Sequence, residues 1–258
     1  MSNQKREVKE AVIAALAECA DKTFETVGFQ RRPNSLRYDR ELPECSQSVE
    51  VNIEHSPKDN PNAAAAVYPW LTVTIPNVDA VAVDMTGGDD ALLSRTASTL
   101  HQPIELVSPK GTGARWYLYQ PDSVVAVVRE FEAYSTRWLF RFLDEYSSAK
   151  GIIAMYRNGD NRVLHDQDQF LRLIAGLISC GEYDAANETL VVKFGRPAMR
   201  RRFAPVFDFV EKLSSAAKQI KGVRTEWHCR FCSRFDQRAA VGRTREEHVL
   251  VVGRPGEF

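Results

Sequence analysis

No apolar run in this chain approaches the roughly 20 residues that a membrane-spanning helix requires, so a helical membrane protein is not the reading. Net charge is missing too, because 34 Lys and Arg offset 34 Asp and Glu over 258 residues. A nucleic-acid-binding domain usually carries a basic excess throughout, which this balance does not supply. Cysteine is scarce, and its odd set of five (Cys19, Cys45, Cys180, Cys229, Cys232) is scattered. That pattern points to reduced thiols in a cytoplasmic protein and not to a disulfide framework. The basic start followed by Ala11–Ala20 imitates a secretion signal, but Glu7, Glu10 and Glu18 interrupt it, so cleavage is not expected.

Catalytic signatures are equally sparse. Ser94, Ser98 and Ser108 lack a nucleophile elbow, and His101 before Gln102-Pro103 reads as loop. Lys110-Gly111-Thr112-Gly113 resembles a phosphate cradle only superficially. A phosphate loop places Lys and Ser/Thr after the last Gly and then a helix, whereas Ala114-Arg115-Trp116 leads into an expected strand.

What the chain does contain is pattern. Val8, Val12, Ala15, Leu16 and Cys19 share one helix face, and Gly28 supplies a stop. An extended segment then runs from Phe29 to Leu36-Arg37-Tyr38. Val49, Val51 and Ile53 alternate with polar neighbours, as do Leu71, Val73 and Ile75, and as do Val81 and Val83, so each reads as a strand. Residues 88–100 suggest a short helix after the Gly87-Gly88-Asp89-Asp90 turn. Ile104–Val107 and Trp116–Tyr119 look like hairpin strands around Pro109–Gly113. From Pro121-Asp122 a long helix follows, with Val124, Val128, Phe131, Tyr134, Trp138, Phe142 and Tyr146 as its stripe.

Gly151 and Asn158–Asn161 break the composition, and the remainder reads as helical. Phe170, Ile174, Leu177 and Ile178 form one stripe. After Gly181, Tyr183, Ala186, Leu190, Val191 and Phe194 form another. The pair is similar to a single tetratricopeptide repeat, but with no second copy it reads as a plain helical hairpin. A third helix carries Phe203 through Ile220, and His248–Val252 is a short apolar strand.

The phrases Gly28-Phe29-Gln30-Arg31-Arg32, Leu36–Leu42, Gln47–Ser56 and Trp70–Ile75 resemble a bacterial family catalogued as domain of unknown function 4304, over about residues 1–145. The resemblance implies an α+β fold. Members of that family look like components of toxin-immunity and defence neighbourhoods, so it also implies an immunity or antitoxin-like protein that neutralises a toxin by occlusion.

Charge is unevenly placed despite its zero sum. Residues 39–90 hold ten carboxylates against Arg40 and Lys58, and residues 196–258 hold 14 Lys and Arg against 7 Asp and Glu. An acidic surface accelerates capture of a basic protein such as a nuclease. Asp84, Asp89 and Asp90 are therefore the candidate partner-binding residues. Magnesium binding by that trio is disfavoured, since solvated carboxylates are ordinary at a glycine turn. The run Arg200-Arg201-Arg202, continued by Arg230 and Arg234 among Trp227, Phe231 and Phe235, could instead pair phosphates and stack bases. Cys229, Cys232 and His248 supply three zinc-competent groups and no fourth, and a role as free thiols is preferred while zinc stays open.

The expectation is an α+β domain over 1–147, with a helix on an antiparallel sheet and a long closing helix, then a mostly helical domain over 148–258 with a basic tail. The expected function is non-catalytic binding of a protein partner, toxin-like and basic, without cofactor or catalytic residue. The alternatives are a nucleic-acid-binding accessory protein and an enzyme whose site is dispersed in sequence.

Overall fold

A computed structural model describes residues 3–89, 91–93, 98–108, 115–120, 123–217 and 219. Helix α1 (Asn3–Cys19) buries Val12, Ala15 and Leu16, the centre of the expected stripe. A second short helix, α2 (Asp21–Thr26), follows and ends at Gly28, whose φ of 87° lies in the left-handed region that a side chain disfavours.

The sheet begins with β1 (Gln30–Arg31), β2 (Arg37–Glu41), β3 (Ser46–His55) and β4 (Ala65–Thr74), successive neighbours and all antiparallel. The other edge of β4 is shared. Its second half pairs with β5 (Leu100–Pro103) and its first residues pair with β6 (Trp116–Leu118), again antiparallel. Side chains alternate across β3 and β4, so Val49, Val51, Leu71 and Val73 enter the core.

Three local expectations are corrected. Val81 and Val83 lie in a helix, α3 (Pro76–Thr86), with Pro76 in its first turn and Gly87 as its left-handed cap. Its buried residues Val78, Ala82 and Met85 follow helical spacing, and Val83 is 48% exposed. Ile104–Val107 is a 3₁₀ turn, not a strand, and its Ile104 and Val107 are buried. The Tyr134 hydroxyl fixes it by donating to Ile104 O at 2.7 Å and accepting from Ser108 N at 3.1 Å. The hairpin accordingly does not form, because β6 pairs with β4 instead. The third correction concerns residues 88–100, whose described positions form turns and then β5, with His101 in the strand.

The closing helix is present as α4 (Val124–Tyr134) and α5 (Phe140–Glu145), joined by a π turn at Ser135–Leu139. The wider turn advances the buried stripe, so Leu139, Phe140, Phe142 and Leu143 face inward while Trp138 is only half-buried. Ser135 is buried at that turn, and its hydroxyl donates to Phe131 O at 2.8 Å. Phe24 of α2 ties the layers together. Its ring stacks on Tyr38 at 4.1 Å and meets Phe140, Phe131 and Phe29 at 4.9, 5.5 and 5.8 Å. Beneath them the buried Arg40 bonds Gln47, Asp144 and Val27 O, joining β2 to α5.

Helices α6 (Ala149–Arg157), α7 (Gln167–Ser179), α8 (Tyr183–Phe194) and α9 (Pro197–Arg202) follow, then helical residues 204–217. Gly181, at φ 76°, turns α7 into α8. Val191 lies outside the stripe it was assigned to, at 46% exposure. By its contacts the chain divides into Met1–Glu211 and Lys212–Phe258. The helices α6 to α9 thus share a unit with the sheet, α7 packing on α3. No helix among the described residues is long and apolar enough to cross a membrane.

Candidate functional site

The alternation that sends Val49 and Leu71 inward sends the intervening side chains of β3 and β4 to the opposite face of the sheet. On that face Glu50 stands across from Trp70, Asn52 from Tyr68, and Thr72 from His101. Neighbouring β2 adds Arg37, Asp39 and Glu41, since Tyr38 and Arg40 are the inward residues of that strand. The result is an outward surface with aromatic rings along β4 and carboxylates on the neighbouring β3 and β2.

At one end of this surface a single guanidinium bridges two carboxylates. Arg115 donates to Glu54 at 2.7 Å and to Asp59 at 2.8 Å, with its guanidinium 5.1 Å from the Tyr68 ring centre. The Tyr117 hydroxyl donates to Asp59 at 2.6 Å. That hydrogen bond raises the Tyr117 phenol and, aided by Arg115, holds the Asp59 carboxyl below the usual range. Tyr119, 55% exposed, accepts from Asn60 at 2.8 Å nearby.

The other end is less complete. The Trp70 and His101 rings lie 4.7 Å apart, and the Thr72 hydroxyl is 3.0 Å from His101 Nδ1. Burial pushes the His101 ring below its ordinary value while Glu50 pulls it up, so the imidazole is neutral near pH 7. Arg37 spends its Nε on Asp39 at 2.7 Å. Exposed Glu50 stands between its register partners, Trp70 of β4 and Arg37 of β2, and Arg37 forms its ion pair with Asp39. Across the face, the five carboxylates of Asp39, Glu41, Glu50, Glu54 and Asp59 stand against the guanidiniums of Arg37 and Arg115. A cationic side chain brought to this face would have the Glu50 carboxylate and the Trp70 ring as neighbours.

The residues singled out in sequence lie elsewhere. Asp84 is exposed near the end of α3. Asp89 is exposed after two glycines of positive φ, and its Oδ1 accepts from Ala91 N at 2.8 Å, a local turn bond. Asp90 lies outside the described residues. Arg200, Arg201 and Arg202 form the last turn of α9, and Arg202 donates to Ala91 O at 3.0 Å. The acidic loop and the arginine run are therefore brought together in the fold. Arg200 and Arg202 also rest on the rings of Phe207 and Phe203, at 4.5 and 5.4 Å. Arg230, Arg234, the aromatics around them and the Cys229/Cys232/His248 set all lie outside the described residues. Among those described, no group of three His, Cys, Asp or Glu side chains is placed to hold a metal ion.

Sequence reasoning named β4 as a strand but passed over Trp70 and Glu50 as a pair, because only the register with β3 sets them side by side. It also missed Asp79 as a structural residue. Asp79 pairs with Arg172 of α7 and accepts from the Thr99 hydroxyl at 2.9 Å, and that hydroxyl accepts from Ile75 N at 2.7 Å. No protein-family model, no curated protein and no solved structure matches the chain.

Proposed function

We propose that this chain is a non-catalytic binding protein whose outward sheet face receives a basic protein, in the manner of an immunity or antitoxin-like protein that works by occlusion. The observation that carries the reading is the Glu50–Trp70 pair, a carboxylate next to a half-buried indole and across from Arg37, whose ion pair is with Asp39, on a surface where carboxylates outnumber guanidiniums. Such a face accelerates encounter with a positively charged partner and loses that advantage as salt rises. Asp84 near the end of α3 and Asp89 just beyond it, with Asp90 next in sequence, offer a second position for the same partner. The arginine run is a weaker basis for a nucleic-acid reading, since Arg202 is bonded to the Ala91 carbonyl and two of its three guanidiniums lie on phenylalanine rings.

The test is co-purification of tagged full-length protein from its host at low and moderate salt, with Glu50→Lys, Trp70→Ala and the triple reversal of Asp84, Asp89 and Asp90 in parallel. A stoichiometric basic protein retained by the wild type and lost by Glu50→Lys and Trp70→Ala supports the sheet face. Loss only with the triple reversal moves the interface to the α3 loop. Recovery of polynucleotide alone overturns the reading.

A further inference from the structure

Carboxylates and guanidiniums hold their charge through mild acidification, whereas an imidazole gains one. On the outward sheet face that imidazole is His101 of β5, exposed on a strand that pairs with β4. Register sets its surroundings. Thr72 stands across from His101, and Trp70, two residues back along β4, stands across from Glu50 of β3. The imidazole lies against the indole, with ring centres 4.7 Å apart and a tilt of 35°, and its Nδ1 is 3.0 Å from the Thr72 hydroxyl. Of the charged groups on the neighbouring strands, Glu50 acts on the ring. Asp39 shares the row of His101 through Ser48 and Thr72, and it is held by Arg37.

These neighbours give the two charge states different consequences. In the neutral ring Nδ1 accepts from Thr72 or donates to it according to the tautomer, and in the imidazolium it donates, so the bond to Thr72 survives protonation. Burial keeps the ring neutral near pH 7, and Glu50 favours the proton as pH falls. An imidazolium at this place lies within the roughly 6 Å over which an aromatic ring attracts a cation, and on the side of Glu50. The protein would then supply its own cation to the two groups that neighbour an incoming lysine or arginine.

We propose that His101 is an acid-operated release device for the sheet face: neutral, it leaves Trp70 and Glu50 to a basic partner, and protonated, it takes the partner's place beside them. The proposal rests on the sheet-face reading. Linkage requires the reciprocal effect, so a bound polycation makes His101 harder to protonate.

The experiment is an anisotropy titration of rhodamine-labelled deca-lysine with the full-length protein at about pH 7.5 and about pH 5.5, on either side of the ordinary histidine value. The wild type is compared with His101→Gln, His101→Lys and Glu50→Lys, and thermal melts at both pH values confirm that each variant is folded. Wild-type binding should weaken by about twofold to fivefold at the lower pH beyond any change seen in His101→Gln. His101→Gln, which keeps a hydrogen-bond partner for Thr72, should bind at the higher pH as the wild type does, and His101→Lys should bind weakly at both. The His101 ring protons, followed by NMR, should titrate at lower pH in Glu50→Gln and in the presence of saturating deca-lysine. The same pH dependence in the wild type and His101→Gln would overturn the proposal and leave the sheet face standing, provided that Glu50→Lys still weakens binding. Absence of binding at the higher pH, or indifference to Glu50→Lys, would overturn both.

Discussion

The carboxylate of Asp79 on α3 and the guanidinium of Arg172 on α7 are bonded to each other inside the helical layer, their side chains 13% and 4% exposed. A pair so removed from water adds little over well-packed apolar groups, yet breaking it is costly because one charge stays buried. Asp79→Ala is expected to lower unfolding free energy by about 3–5 kcal/mol in urea titrations, while Asp79→Leu with Arg172→Met should recover most of that loss. Equal losses in the single and double variants would show that the pair is not what joins α3 to α7.

Phe24 is the point at which α2, β2, α4 and α5 meet. Phe24→Ala removes a fully buried ring together with its stacked contact on Tyr38, at an expected cost of about 3–5 kcal/mol. Phe24→Leu should lose clearly less. A denaturant midpoint unchanged in the alanine variant would contradict the placement of this ring.

Acid sensitivity is expected to centre on Arg162. Burial works against the charged forms of Asp160 and Glu145, but the hydrogen bonds from Arg162, at 2.7 and 2.6 Å, together with its charge, its backbone N–H at Asp160 and the Arg141 bond at Glu145, outweigh it, so both carboxyls titrate below their ordinary values. Carboxyls lowered in the folded state stabilise it above their unfolded values, and that contribution is lost as pH falls through the lowered ones. Stability should therefore fall on acidification from the ordinary carboxylate range downward. Arg162→Ala should be less stable at neutral pH by about 2 kcal/mol and show a flatter acid limb. A wild-type acid limb unchanged by the substitution would exclude this cluster as its source.

Gly151 occupies the first turn of α6, where its N–H donates to the Ser148 cap at 3.1 Å and where a Cβ would collide with the Glu145 carbonyl oxygen. Gly151→Ala is thus expected to destabilise by about 1–3 kcal/mol, despite the better helix propensity of alanine. A raised melting temperature would mean that the approach of α5 to α6 relaxes freely.

The elements legible in sequence are those with a long, one-sided apolar period: α1, β3, β4, the closing helix, α7 and α8. The missed ones had conflicting or truncated patterns. Val81-Ala82-Val83 alternates for only three residues, and the helical spacing of Val78, Ala82 and Met85 around it was the stronger signal. Strand β5 hides because its second inward residue is polar. Gln102, fully buried, donates to Arg162 O at 2.8 Å and accepts from Leu164 N at 3.3 Å, partners far away in the chain. The π turn at Ser135 shifts a stripe that otherwise keeps helical spacing, which is why Trp138 was placed too deep. As for the sites, acidity between residues 39 and 90 was visible. Strand register, which sets Asp39, Glu41, Glu50 and Glu54 on the sheet face, and the packing of α3 on α7, which buries Asp79 against Arg172, were not.

The two ten-residue strands β3 and β4 lie inside the sheet, and among the described residues its borders are β1 with two residues, the part of five-residue β2 that β1 leaves uncovered, β5 with four, β6 with three, and the overhang of β3 beyond β2 at Asn52–His55. Borders this short offer too few free amides and carbonyls to template an incoming strand, which protects the molecule from edge-to-edge polymerisation. A visitor to the sheet must then be recognised through the side chains projecting from its face, and not by extending the ladder, so partner choice rests on side-chain identity and is open to change by single substitutions.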